Sequence, residues 1–354
     1  MQNLVTAQEM KAADNRTSEQ FGMESLVLME RAALSAKAVL AEYLQTKTKF
    51  LFFCGVGNNG GDGLALARML FLEKKLVQVI MVGDPTRCTP SCKRQLQIVK
   101  AYGVPVCTGE NLPGDEEIKE KINSAEVIVD ALLGVGVNRL IGEPMNRIIQ
   151  AINRRPEKTW CVSLDLPTGI HTDTGEVLGM AVRADLTITF AFQKLGLIRF
   201  PGCEFAGRVI LADAGITQES LADSVHVTYT ANEIEEKMPK RKAYGNKGTF
   251  GKVLVIAGSH DMAGAALLCA RGAYGVGAGM VKIVTDASNR LIVQTALPEA
   301  MLLTYEKKDL NSAAEEKVYS RLADSIQWAD SIVVGPGLST GEAAQQLLHH
   351  TLQY

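Results

Sequence analysis

The sequence lacks an excess of charge of either sign. Its 354 residues include 37 Lys and Arg against 39 Asp and Glu, so the formal net charge is −2. Nucleic acids and membrane surfaces attract proteins with a basic patch or a strong overall charge. The composition therefore predicts neither partner and favours a small-molecule ligand, and it is compatible with a homo-oligomer.

Long hydrophobic runs are also missing. No stretch approaches the ~18 apolar residues that a membrane-spanning helix requires. Residues 1–11 have no basic region followed by an apolar core, which a secretory signal would need. We therefore expect a cytoplasmic protein.

Cysteine and histidine show no ligand or disulfide pattern. The seven cysteines include no C-x-x-C pair, which argues against a disulfide framework and a zinc site. The five histidines have no metal-ligand spacing. We expect reduced, mostly buried thiols at Cys54, Cys88, Cys92, Cys107, Cys161, Cys203 and Cys269.

A glycine-rich stretch at residues 55–63 organises the first part of the chain. It follows an apolar run at 50–53 and precedes a helical pattern at 64–75, which predicts a strand, a loop and a helix. The spacing G-x-G-x-x-G lets a backbone approach a ligand at a helix N-terminus. Asp62 would repel a phosphate there, so the polar side chains favour a hydroxyl-bearing ring or a cation. The alternative is a solvated helix cap.

Strand and helix patterns alternate through residues 1–222, which predicts an α/β fold with a Rossmann-like, doubly wound parallel sheet. Thr6 and Glu9 match a capping box at the first helix. The predicted helices lie at 8–19, 24–44, 64–75, 90–102, 115–123 and 145–153, and the predicted strands at 50–53, 76–82, 104–107, 127–130, 160–164, 186–191 and 208–211.

Polar side chains follow several of these strands. Asp130 and Asp165 stand at strand ends, and Thr168 follows closely. Each carboxylate could simply fix its own turn. Since the carboxyl ends of parallel strands meet at one edge of a sheet, their joint placement favours an oxygen-lined pocket. The role of Lys194 stays open: a lone lysine after a strand is more often surface charge than a catalyst, but a buried one could stabilise an anionic substrate.

Four motifs occur in the order of a known family: 28–32 (LMERA), 55–63 (GVGNNGGDG), 129–134 (VDALLG) and 165–169 (DLPTG). Residues 1–222 thereby resemble the NAD(P)H-hydrate epimerase domain, also called the YjeF N-terminal domain. The resemblance implies a Rossmann-like enzyme that acts on NADHX or NADPHX, cofactors hydrated at carbon 6 of the nicotinamide ring. It also implies a potassium site at Asn59, Asp130 and Thr168, and substrate-binding residues at Asn58, Asn59, Gly60, Gly61, Asp62, Gly134, Val135, Gly136, Val137, Asn138, Arg139, Leu140 and Asp165.

The reaction suits these residue types. Loss of hydroxide from carbon 6 gives an iminium ion, to which water can return on either face. One carboxyl group can assist both directions as general acid and base, and Asp165 is our candidate catalytic residue. Potassium would act through hard oxygen ligands by organising loops.

Residues 223–246 are predicted to form a linker, and residues 247–354 a second α/β domain. The stretch 247–251 (KGTFG) and the glycine-rich loop at 258–264 resemble the ribokinase-like NAD(P)H-hydrate dehydratase domain, although Asn246 replaces the usual histidine. The resemblance implies substrate contacts at Ala266 and Gly337, and ADP or ATP with Mg²⁺ as cosubstrate of a complete domain. The nucleotide-binding motifs expected later in that domain are not in this sequence. We therefore expect a partial domain, inactive as a dehydratase.

Two other functions remain open. One is an NAD-dependent oxidoreductase with Asp84 bound to a ribose, which turnover of NADH with a carbonyl acceptor would reveal. The other is a non-catalytic Rossmann-like scaffold. A scaffold would be expected to lose the loop asparagines and aspartates, all of which are present here.

Overall fold

A computed structural model describes residues 2–109, 113–221, 226–238, 240–241, 243–306 and 315–354. The chain divides into two compact units, residues 1–237 and 238–354. The division falls inside the predicted linker 223–246, of which positions 223–225, 239 and 242 lie outside the described residues. The predicted domain limits at 222 and 247 stay predictions.

The first unit alternates strands and helices. Its helices are α1 Ala7–Gln20, α2 Ser25–Tyr43, α3 Asn58–Leu72, α4 Pro90–Ala101, α5 Asp115–Ser124, α6 Met145–Asn153 and α7 Ala231–Lys237. Its strands are β1 Gln2–Val5, β2 Lys49–Cys54, β3 Leu76–Met81, β4 Val106–Cys107, β5 Val127–Ala131, β6 Trp160–Leu164, β7 Leu186–Phe190, β8 Gln193–Lys194, β9 Arg208–Ala212 and β10 His226–Thr228.

Seven of these strands form a parallel sheet in the order β4-β3-β2-β5-β6-β7-β9. Alternate residues of β2 face opposite sides, so Phe52 packs with α2, α3 and α4 while Phe53 packs with α5 and α6. The predicted doubly wound α/β fold is confirmed. The strand order reverses between β2 and β5, where open sheets of this kind bind ligands.

Two local predictions have different outcomes. The capping box at the start of α1 is confirmed, since Glu9 N donates to Thr6 Oγ1 (3.2 Å) and Thr6 N to Glu9 Oε2 (2.7 Å). The predicted start of the third helix at residue 64 is wrong, because α3 begins at Asn58. Glycines carry no hydrophobic periodicity, so the sequence does not reveal the first turns of α3. Residues 58–62 lie in these turns.

A second, small sheet was not predicted. It has the order β10-β1-β8, with β1 antiparallel to β10 and parallel to β8. Its strands have only 4, 2 and 3 residues, too few to show a period. Strand β10 lies in the predicted linker, yet it pairs with the first strand of the chain.

The second unit also confirms the predicted α/β class. Its sheet is parallel, in the order β13-β12-β11-β14. Helices α8 and α9 pack on one face of this sheet, and α10 and α11 pack on the other. The strands are β11 Lys252–Ile256, β12 Met280–Asp286, β13 Met301–Tyr305 and β14 Ser331–Val334, and the helices are α8 Ala263–Gly275, α9 Arg290–Ala296, α10 Glu315–Trp328 and α11 Glu342–Leu352. None of the described helices has the length and apolar character needed to cross a membrane.

The glycines of the first loop provide a test of the packing between β2 and β5. A Cβ atom on Gly55 would overlap the backbone carbonyl oxygen of Leu132, whereas one on Gly57 would have no atom within 4 Å. We expect Gly55→Ala to cost ~3 kcal/mol or more, which lowers the melting temperature by about 6–12 °C. The matched control Gly57→Ala should cost less than ~1 kcal/mol, about 4 °C or less. Calorimetry that gave the two variants equal melting temperatures would contradict this account.

Candidate active site

The strand ends bring three of the predicted residues together. Gly134 follows β5, Asp165 follows β6, and Asn59 lies in the first turn of α3. A Cβ atom added to Gly134 would lie 3.0 Å from Asp165 Oδ2 and 3.1 Å from Asn59 Cβ. Position 134 therefore has no room for a side chain while these two polar groups stay in place.

Asp130 is the central buried acid of this edge. Its carboxylate is fully buried and accepts hydrogen bonds from Thr168 Oγ1 (2.7 Å), Thr168 N (2.9 Å) and Ser163 Oγ (2.8 Å). It also accepts one from Leu132 N (3.3 Å), so it fixes its own turn as well as the loop after β6. Burial raises the pKa of Asp130, although these hydrogen bonds oppose the shift.

Asn59 is buried without partners. Neither its Oδ1 nor its Nδ2 has a hydrogen-bond partner among the described residues. A buried polar atom left unbonded costs ~1–3 kcal/mol, so such atoms need an explanation. The unbonded amide oxygen of Asn59 is a hard oxygen donor of the kind that potassium prefers. The described residues contain no cluster of three His, Cys, Asp or Glu side chains suited to a metal.

Asp165 is held at both carboxylate oxygens. Its Oδ2 accepts a hydrogen bond from Val135 N (3.1 Å), and its Oδ1 lies 2.5 Å from Lys194 Nζ. Its backbone has a φ of +69°, a left-handed conformation that costs a non-glycine residue ~1–2 kcal/mol and often occurs at functional sites. The carboxylate thus reaches across to the neighbouring loops and does not fix its own turn.

Lys194 is the residue whose place the sequence left undecided. Its side chain is 1% exposed, and the amino group also donates to Phe190 O (2.8 Å) and Thr189 Oγ1 (3.1 Å). It is therefore a buried partner of Asp165 and not a surface charge. The sequence contained one indication of this role, because Lys194 comes shortly after β7, at the sheet edge where Asp165 also lies.

Asp62, in the first turns of α3, is influenced electrostatically by this ion pair. Burial raises the pKa of its carboxyl well above the usual range, and the charges of Asp165 and Asp14 raise it further, while Lys194 opposes the shift. Asp14 belongs to α1, and burial raises its pKa as well. Asp62 therefore holds its proton more tightly than a solvent-exposed aspartate does.

The other predicted substrate residues differ in their surroundings. Gly60 and Gly61 are close-packed, since a Cβ atom would overlap Gly55 O at Gly60 and would lie 2.5 Å from Met29 Cε at Gly61. Asn58 accepts a hydrogen bond from Thr89 Oγ1 (2.7 Å). In the segment after β5, Val137 is half-buried and the four exposed residues are Gly136, Asn138, Arg139 and Leu140.

Asp84 has a local role. Its Oδ1 accepts a hydrogen bond from Thr86 N (2.9 Å) and caps a short turn. This contact uses the carboxylate that the oxidoreductase alternative would place on a ribose.

In the second unit, two loops meet at the carboxyl ends of β11 and β14. Gly258 N donates to Pro336 O (2.9 Å), and a Cβ atom on Gly337 would lie 2.5 Å from Ala265 Cβ. Ala266 is fully buried beneath Gly258. A cavity of about 260 Å³ opens at this edge, and its lining includes Ser259, His260, Asp286, Tyr305, Ser339 and Glu342.

Comparison with known proteins covers both units. A family model described as YjeF-related protein N-terminus matches residues 25–196, and one described as NAD(P)H-hydrate dehydratase matches residues 253–354. A yeast protein of known structure superposes with a TM-score of 0.53 at 22% identity, covering 65% of this chain and 98% of that one. This likeness shows the fold alone.

Sequence relatives are closer. A bifunctional NAD(P)H-hydrate repair enzyme of Thermofilum pendens is 32% identical over 96% of this chain, and this chain spans 64% of its length. A bifunctional NAD(P)H-hydrate repair enzyme of Salinibacter ruber is 32% identical over 99% of this chain and 67% of its own length. An NAD(P)H-hydrate epimerase of Leuconostoc kimchii is 40% identical over 60% of this chain and 89% of its own length.

The raised pKa of Asp62 predicts a pH-dependent stability. The folded state binds the proton of Asp62 more tightly than the unfolded chain does. Asp62 therefore stabilises the fold fully at pH values below its unfolded-state pKa of about 3.9. This stabilisation is lost as the pH rises through the folded-state pKa. Asp62→Asn should therefore raise the melting temperature at pH 8 by about 2–4 °C, or ~1 kcal/mol, with little effect at pH 4.5.

Thermal unfolding at both pH values tests this expectation. The control Glu120→Gln changes an exposed carboxylate on α5, and its melting temperature should equal that of wild type at both pH values. An Asp62→Asn protein less stable than wild type at pH 8 would refute the expected sign.

Proposed function

The chain belongs to the NAD(P)H-hydrate repair enzyme family, and on this premise we propose that its first unit interconverts the R and S hydrates of NADH and NADPH. The observation that carries the proposal is Asp165, whose carboxylate is fixed at both oxygens beside the unbonded amide of Asn59. A rigid proton acceptor next to unfilled polar contacts is the arrangement that a hydroxyl-bearing substrate needs.

The proposed reaction is a dehydration followed by rehydration within one site. A proton given to the hydroxyl at carbon 6 lets the C–O bond break, and water leaves with the bonding electrons. The lone pair of the ring nitrogen forms the carbon–nitrogen double bond of an iminium ion. Water then attacks carbon 6 from either face and gives its extra proton to a carboxylate.

Asp165 is the group that gives and takes this proton. The exposed segment after β5, with Arg139, is available to the rest of the dinucleotide.

We also propose a potassium ion at Asn59, Asp130 and Thr168. The unbonded Oδ1 of Asn59 supports this donor set. A bound potassium ion would hold the loops after β2, β5 and β6 together and orient substrate hydroxyls. The side chains, and not the ion, would carry out the proton transfer.

For the second unit we propose binding of the hydrated dinucleotide near Ala266 and Gly337. The match of residues 253–354 to the dehydratase family supports this assignment. ADP or ATP with Mg²⁺ is the cosubstrate that such a dehydratase would use.

Removal of the Asp165 carboxylate should abolish most of the epimerase activity. We expect Asp165→Ala to lower kcat about 100-fold or more, the usual contribution of a general acid–base group. Chromatographic separation of the R and S hydrates measures the rate. Asp84→Asn is the matched control, since this exposed carboxylate caps a turn and should leave the rate near normal. A folded Asp165→Ala protein with near-normal activity would remove the assignment.

The potassium proposal has a readout that does not need the reaction. An ion that binds only the folded state raises the melting temperature, so wild type should melt higher in potassium than in choline or sodium buffer. We expect weaker substrate binding in the latter two buffers as well. Asn59→Ala should lose the potassium-dependent shift, whereas Asn58→Ala should keep it. Identical melting temperatures and affinities of wild type in all three buffers would exclude the site.

A further inference from the structure

The amino group of Lys194 has three acceptors around it. Asp165 Oδ1 lies at 2.5 Å, Phe190 O at 2.8 Å and Thr189 Oγ1 at 3.1 Å. An ammonium group has three N–H donors, so each can be satisfied in this buried position. The charge of Lys194 is therefore fixed in place and directed at one oxygen of Asp165.

Two unusual backbone conformations bring this pair together. Asp165 follows β6 and Ala191 follows β7, and their φ angles are +69° and +60°. The two strands are neighbours, and Asp165 N donates to Ile188 O (2.8 Å) at the point where the chain leaves β6. Non-glycine residues rarely adopt this conformation, and it persists only where surrounding contacts maintain it.

The backbone of Lys194 is anchored by the small sheet. Strand β8 pairs in parallel with β1, with Lys194 in register with Val5, a fully buried residue. The lysine is thus held by β1 through its backbone and by β7 through its amino group. Asp165 is held by β7 through its backbone N–H and by Val135 N. The ion pair therefore connects the loop after β6 to a lysine that two strands fix in place.

We propose that Lys194 is a positioning residue for the epimerase reaction. It fixes the rotamer of Asp165 so that the carboxylate faces carbon 6 of the nicotinamide ring, an inference that rests on the proposed function. We expect the orientation of this carboxylate to govern the reaction rate, since a misplacement of ~1 Å at a reacting group can lower the rate about 100-fold. A purely structural ion pair would instead affect stability without a specific effect on kcat.

A double-mutant cycle separates these two roles. We expect Lys194→Met to lower kcat by about 30–100-fold while KM changes by less than about threefold. In an Asp165→Asn background, which has already lost proton transfer, the same substitution should change kcat by less than about threefold, because residues that act as one unit are not additive. Lys194→Arg, which keeps the charge, should recover part of the loss.

Stability needs its own control, because Lys194→Met leaves Asp165 buried without its cation. The double variant Asp165→Asn, Lys194→Met removes both charges and should fold. Thr189→Val keeps both charges and removes one acceptor of the ammonium group, so it should lower kcat without unfolding the protein. If Lys194→Met does not fold, Thr189→Val decides the matter, and normal kcat in that variant overturns the proposal.

The outcomes distinguish this inference from the proposed function. A wild-type protein without epimerase activity overturns both. An active wild type with an equally active, folded Lys194→Met variant overturns the positioning role alone. Equal losses of kcat in the wild-type and Asp165→Asn backgrounds would overturn it too, since Lys194 would then act independently of Asp165.

Discussion

A carboxylate buried at the end of a central strand must be surrounded by hydrogen-bond donors. Asp130 meets this requirement with the hydroxyls of Ser163 and Thr168 and with two backbone amides. Each donor belongs either to the neighbouring strand or to a loop of the site, so a single buried charge fixes the paths of both loops. The positions of Gly134 and Asp165 follow from those paths.

Close backbone contact is the second constraint on this edge of the sheet. The loop after β2 passes against the segment after β5, where Gly55 and Gly134 leave no room for side chains. That approach places Asn59 beside Asp165, and it leaves the asparagine amide without a partner among the described residues. The site thus combines a fully satisfied buried acid with an unsatisfied buried amide. Such a combination is expected where the protein supports a group that it does not itself supply.

The sequence was informative where its signals were local and repeated. The alternation of patterns predicted the doubly wound sheet, and the strand-end positions of Asp130 and Asp165 directed attention to one edge of it, where Asp130 binds Thr168 and Asp165 binds Val135 N. The start of α3 at Asn58 was missed, because glycines carry no hydrophobic period. The burial of Lys194 depends on Asp165, a partner distant in the chain, and on β1, a strand of 4 residues. Contacts of this kind are tertiary, and no window of the sequence contains both partners.

The small sheet that anchors Lys194 has a consequence for biosynthesis. Its central strand, β1, is made first, but its partners are residues 193–194 and 226–228. During translation the N-terminal segment must therefore wait, unpaired, until nearly the whole first unit has left the ribosome. Since domains fold as their chains emerge, the parallel sheet can form before the small sheet does. The pairing of the Lys194 backbone with β1 is then among the last parts of the unit to be completed.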